Sequence, residues 1–161
     1  MLIEILIVSI IGTLLHFIYD WSGGNALVGL FGAVNESIWE HLKLLFWPLL
    51  FISLYEHYLI YKKQDGFLMA RLVSVIIGMV FIVTLYYTVT GVIGKNIDAF
   101  NITLYFVSVI LTFFISKLLI KNGLFQSPKS NAIALFIFAI LAAFFIAFTK
   151  YPPRLGIFSE P

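Results

Sequence analysis

Chemistry-bearing side chains in this chain gather at a few points. His16 and Asp20 lie four residues apart near the end of one apolar run, and Asn35, Glu36, Ser37, Trp39, Glu40, His41 and Lys43 crowd the start of the next. Asp98, Asn101 and Tyr105 open a later run. Two histidines with several carboxylates form a nitrogen and oxygen donor set suited to zinc or another divalent metal. On that reading His16, Asp20, Glu40 and His41 are ligands, Glu36 is the general base and Lys43 an electrostatic partner. A metal-bound water with its pKa lowered toward about 7 would be a nucleophile needing neither Ser nor Cys. Asn35, Ser37, Trp39, Asp98, Asn101, Tyr105 and Arg154 would wall a substrate cavity. No recognised zinc spacing such as HExxH occurs. Ser37 with His41 is a poor nucleophile pair, because both stand on one helix without an oxyanion element.

Simpler accounts compete. Asn35 suits an N-cap, and carboxylates in a first turn gain about 0.3–1 kcal/mol each from the helix dipole. That explains one Glu, but not two with His, Lys and Trp beside them. Glu36, Glu40, Lys43 and Trp47 step by four, three and four and are expected on one face, with Ser37 and His41 on the next. A metal-free proton, ion or substrate site and a purely structural ion-pair network both stay open.

The elements that must position these residues are membrane helices. Of 161 residues, 61% are hydrophobic and only 11% charged, with mean hydropathy +1.04. Soluble domains carry about 25% charged residues. The expected fold is all-α: one domain of five transmembrane helices at 2–19, 38–61, 67–90, 97–120 and 131–149, with 150–161 as a tail. Each is close to the ~20 apolar residues that a hydrocarbon core of ~30 Å requires. The apolar N-terminus has no basic region before it and no small-residue cleavage site after it, so it reads as a retained helix. Cysteine is absent, which removes disulfides and thiolate chemistry. The net charge of +2 implies no nucleic-acid partner. Lys62, Lys63, Arg71, Lys117, Lys121 and Lys129 fall at one end of the bundle, and Lys43, Lys95, Lys150 and Arg154 at the other. Six against four favours N-terminus inside and C-terminus outside, which puts the polar cluster on the outer face.

Polar stripes indicate inward faces. Asp98, Asn101, Tyr105, Ser108, Thr112 and Ser116 follow steps of three and four, and Ser9, Gly12, Thr13, His16, Tyr19 and Asp20 form a similar stripe. Small and hydroxyl residues also serve as packing glue between membrane helices. The last span has no polar side chain from Ala132 to Phe148 and reads as a peripheral support. Glu56 and Arg71 flank a short turn at similar depth and are expected to pair, since an ionisable group in a membrane helix usually finds a partner. His57 reads as a packed or interfacial residue. The tail, YPPRLGIFSEP, is extended by its prolines and is expected to dock over the outer end.

HFIYDWSGGN, VNESIWEHLKLLFWP, YTVTGVIGKN and YPPRLGIFSEP together resemble a group of small bacterial integral-membrane proteins classed as a domain of unknown function. The resemblance covers nearly the whole chain, and the NESIWEHLK block is its most specific part. It implies a Gram-positive, multi-pass protein of the bacterial cytoplasmic membrane, without an assigned activity, ending in a PP-containing tail. It also implies histidine where this chain has Lys95 and Arg154, which thins a many-histidine metal centre.

The leading expectation is a membrane-embedded, metal-assisted hydrolase or transferase. It would act on a lipid or lipid-linked substrate at the outer leaflet, with zinc as the first-choice cofactor. Membrane lipids, and a second copy in a homodimer, are the expected partners. The alternatives are a small ion- or proton-coupled transporter or ligand-binding protein using the same cavity, or a structural or accessory subunit.

Overall fold

The computed structural model describes residues 1–61 and 64–160. Lys62 and Lys63, two of the cations in the orientation count, and Pro161 at the end of the tail lie outside the described residues. Among the described residues the chain is helical without a strand: α1 Leu2–Trp21, α2 Ile38–Tyr55, α3 Phe67–Ile93, α4 Asp98–Lys121 and α5 Ser130–Lys150. Short 3-10 turns at Val28–Leu30 and Gly156–Phe158 sit in the loop after α1 and in the tail. A π-helical turn, Glu56–Ile60, extends α2.

Helices α1, α3, α4 and α5 are long and apolar enough to cross a membrane. α2, which carries Glu40, His41 and Lys43, is the exception, and its position explains why. It packs against α1, α3 and α5, and every residue from Leu42 to Leu50 is buried. A helix enclosed by its neighbours presents little surface to lipid, so its charges are satisfied by protein groups. The core around it includes Leu45, Phe46, Leu49, Leu68, Val75, Val109 and Phe138.

Two glycines let helices approach closely. A Cβ on Gly12 would collide with the Tyr105 hydroxyl and the Leu44 carbonyl, and one on Gly78 would collide with the Thr112 hydroxyl. Tyr105 uses the space at Gly12: its hydroxyl donates to the Val8 carbonyl at 3.0 Å and lies 3.5 Å from Leu44 O. Leu44 O is available because Pro48, four residues on, has no N–H to offer it. The α4 stripe therefore divides. Ser108, Thr112 and Ser116 are buried, with Thr112 closing on Gly78 of α3, whereas Asp98, Asn101 and Tyr105 open toward α1 and the start of α2.

The other end of the bundle holds the expected Glu56 and Arg71 together. Glu56 Oε2 accepts from Arg71 at 2.6 Å, and Glu4 of α1 adds a second carboxylate 3.6 Å from the same nitrogen. Phe67 and Phe113 rings flank the guanidinium at 5.2 and 4.7 Å. His57 is buried beside them, its ring stacked on Phe67.

Candidate functional site

The end of α1, the start of α2 and the start of α4 enclose a half-open cavity of about 420 Å³. His16 comes from α1, Glu36 and His41 from the entry to α2, and Asn96, Asp98, Asn101 and Tyr105 from α4 and the loop before it. Ile82 and Tyr86 of α3 complete the wall.

Local capping fixes the α2 entry. Ser37, not Asn35, is the N-cap: its hydroxyl accepts from Glu40 N at 3.4 Å. Asn35 instead accepts from Ser37 N at 3.0 Å, which tightens the turn ahead of the cap. Glu36 therefore precedes the helix and leaves the face expected for it with Glu40 and Lys43. From there it meets His41, with Oε2 3.4 Å from Nε2. The Nδ1 of His41 lies 2.9 Å from the Ser37 carbonyl, and a carbonyl can only accept, so Nδ1 carries the proton. In the neutral ring that leaves the Nε2 lone pair free toward Glu36.

His16 completes the group, its ring centroid 5.2 Å from that of His41. One donor atom from each of His16, Glu36 and His41 falls within a 4.8 Å set. In a tetrahedral site with metal–ligand bonds of about 2.0–2.2 Å, neighbouring donors sit roughly 3.3–3.6 Å apart. The His41–Glu36 separation already has that value. Two histidines and a carboxylate, with the fourth position open to a cavity, is the donor set of catalytic zinc sites. His16 Nδ1 is buried and has no hydrogen-bond partner among the described residues.

The opposite wall is made of acceptors. Asn101 Nδ2 donates to Asn96 Oδ1 at 2.7 Å, while Asn101 Oδ1 is buried and has no partner among the described residues. Asp98 stands in the first turn of α4.

The other residues read from the sequence as site candidates lie elsewhere. Asp20 is exposed and stands outside the His16–Glu36–His41 group. Glu40 is 2% exposed and Lys43 0%, and they pair with each other at 2.5 Å. Lys43 also donates to Gly29 O at 2.8 Å and to the Thr149 hydroxyl at 3.0 Å. Glu40 accepts from Val34 N at 3.0 Å and from Thr149 at 2.9 Å. All three ammonium protons have an acceptor. The pair thus ties the loop before α2 to the end of α5, away from the cavity. Glu40 and His41 diverge because adjacent helical residues are about 100° apart around the axis.

Trp39 packs on Phe145 and Phe148 of α5 and on the tail's Phe158, with ring centroids 4.6–5.5 Å apart. This aromatic contact docks the tail, and Arg154 within it is exposed and does not line the cavity. Thr149 and Glu4 were not read from the sequence. Each is an isolated polar residue at the end of an apolar stretch, and that was the available signal.

No curated protein and no solved structure matches this chain. A family model described as a family of unknown function (DUF6512) matches residues 1–161, and the chain belongs to that family.

Proposed function

We propose that this protein is a membrane-embedded, metal-assisted hydrolase or transferase acting on a lipid or lipid-linked substrate. The observation that carries the reading is the convergence of His16, Glu36 and His41 at the wall of the cavity. These three residues would hold the metal, zinc by donor type, which would supply an activated water when bound. Asp98, on the facing wall, accepts the proton in the role first assigned to Glu36. Glu40 and Lys43 position the segment that delivers Glu36, through the Glu40 contact to Val34 N.

In this reading all five helices span the bacterial cytoplasmic membrane, with α2 sheltered inside the bundle. The cavity faces outward. Buried, paired Lys43 and Arg71 drop out of the cation count, which leaves five against three for the N-terminal end as the inner one. The closed Gly78–Thr112 seam below Tyr105 lends no support to a polar path for a transported ion.

The test is turnover in vesicles. Protein in liposomes of extracted membrane lipid, zinc-loaded or chelator-stripped, is followed by lipid mass spectrometry. New lipid products with zinc, absent after stripping and with His41→Ala, support the reading. An unchanged lipid profile at full metal occupancy would overturn the enzymatic part.

A further inference from the structure

The lining of the cavity also restricts what it can take. It contains Glu36, Asp98, Asn96 and Asn101, and among the described residues no Lys or Arg. Lys95, next to Asn96, is exposed and outside the lining, and Lys43 is fully committed to the Glu40 network. Sites that act on phosphate esters surround the transferring group with Arg, Lys or several metal ions. Here one metal would be balanced by Glu36 and Asp98, so the site would have no net positive charge to offer a phosphate.

The unpartnered Asn101 Oδ1 asks instead for a hydroxyl or amide N–H donor. The remaining wall is apolar: Ile38, Leu44, Ile82, Ile102 and Leu104. Ile102 lines the cavity and is also 60% exposed. It begins a row at helical spacing, Ile102, Phe106, Ile110 and Phe114, that is exposed along the α4 flank. A hydrocarbon chain lying on that row would bring its carboxyl end to the cavity rim.

We infer that the substrate is an uncharged acyl lipid, an ester or amide of a hydroxyl-bearing head group, cleaved at its carbonyl; this rests on the metal reading above. A metal held there would lower the pKa of a water; Asp98 would take that water's proton as its oxygen adds to the carbonyl carbon. The bond from that carbon to the alcohol oxygen or amine nitrogen breaks, and Asp98 returns the proton to the leaving group. The products are a fatty acid and an alcohol or amine, and no redox partner is required. Asn101 is a positioning and specificity residue that accepts from the head group.

Zinc-loaded full-length protein in detergent is offered diacylglycerol, an N-acyl amino alcohol and phosphatidic acid, with metal content measured on the same samples. The expected result is fatty acid from one or both neutral lipids, at least tenfold faster than any phosphate release. Asn101→Leu should raise KM several-fold while metal content and kcat stay near wild type. Inorganic phosphate as the main product would overturn the inference. Stoichiometric metal without fatty-acid release from either neutral lipid would overturn it too, while leaving the metal site standing. Absence of bound metal would bring down the underlying reading and this one with it.

Discussion

The Nδ1 of His41 is 2.9 Å from the carbonyl oxygen of Ser37, the residue that caps its own helix. One backbone group thereby holds the imidazole in the tautomer that leaves the Nε2 lone pair toward Glu36, 3.4 Å away. The cap and the candidate ligand are a single local structure, because His41 stands four residues after the cap and its backbone N–H also donates to the Ser37 carbonyl, at 3.2 Å.

This coupling predicts a pH dependence of metal binding. Imidazole ligands must be neutral to bind a metal. Affinity should therefore fall as the pH is lowered and protons compete with the metal for the imidazoles. Competition titration with a chromophoric chelator between pH 5 and 8 measures it. A flat profile would point to carboxylate-only binding.

The Glu40–Lys43 pair should behave as structure. Glu40→Gln leaves a buried ammonium without its counter-charge and is expected to cost about 3–5 kcal/mol. Replacing both, as Glu40→Leu with Lys43→Met, should recover much of that loss, because a buried pair is often close to neutral against apolar residues of similar size. Melting in detergent reads both. A doubly substituted protein as unstable as the single variant would mean that the charges themselves are needed.

At the opposite end, Arg71→Leu strands Glu56 and Glu4 together and should destabilise by a similar ~3–5 kcal/mol. Metal affinity of the fraction that remains folded should not change, since this cluster and the cavity lie at opposite ends of the bundle. Coupled loss of metal would show that the two ends communicate.

The Gly78–Thr112 contact gives a packing test. Gly78→Ala places a methyl group against the Thr112 hydroxyl and is expected to cost about 1–3 kcal/mol by overpacking. Thr112→Ala in the same chain should return part of it. Independent, additive effects would mean that the seam relaxes in another way.

Much of the fold was legible in the sequence. The last helix, read as 131–149, is Ser130–Lys150, and the second, read from 38, begins at Ile38. Apolar run length and turn residues fix such limits. The division of labour among the polar residues was less legible. Asn35 and Ser37 are equally plausible caps by residue type, and choosing Ser37 moves Glu36 off the helix. Glu40 and His41 share one depth, so only the packing of α2 decides which meets the cavity and which meets Lys43. Thr149 reaches Lys43 across 106 positions of chain, and no local spacing reports a contact of that kind.

The central claim is that His16, Glu36 and His41 form a metal site, and elemental analysis of the purified protein tests it most directly. Protein prepared without a metal-affinity tag should carry close to a single equivalent of zinc or another divalent metal per chain. His16→Ala and His41→Ala should each lose most of it, and Arg154→Ala, at an exposed position outside the cavity, should keep it. Negligible metal in the wild type, or equal metal in the wild type and both histidine variants, would contradict the account.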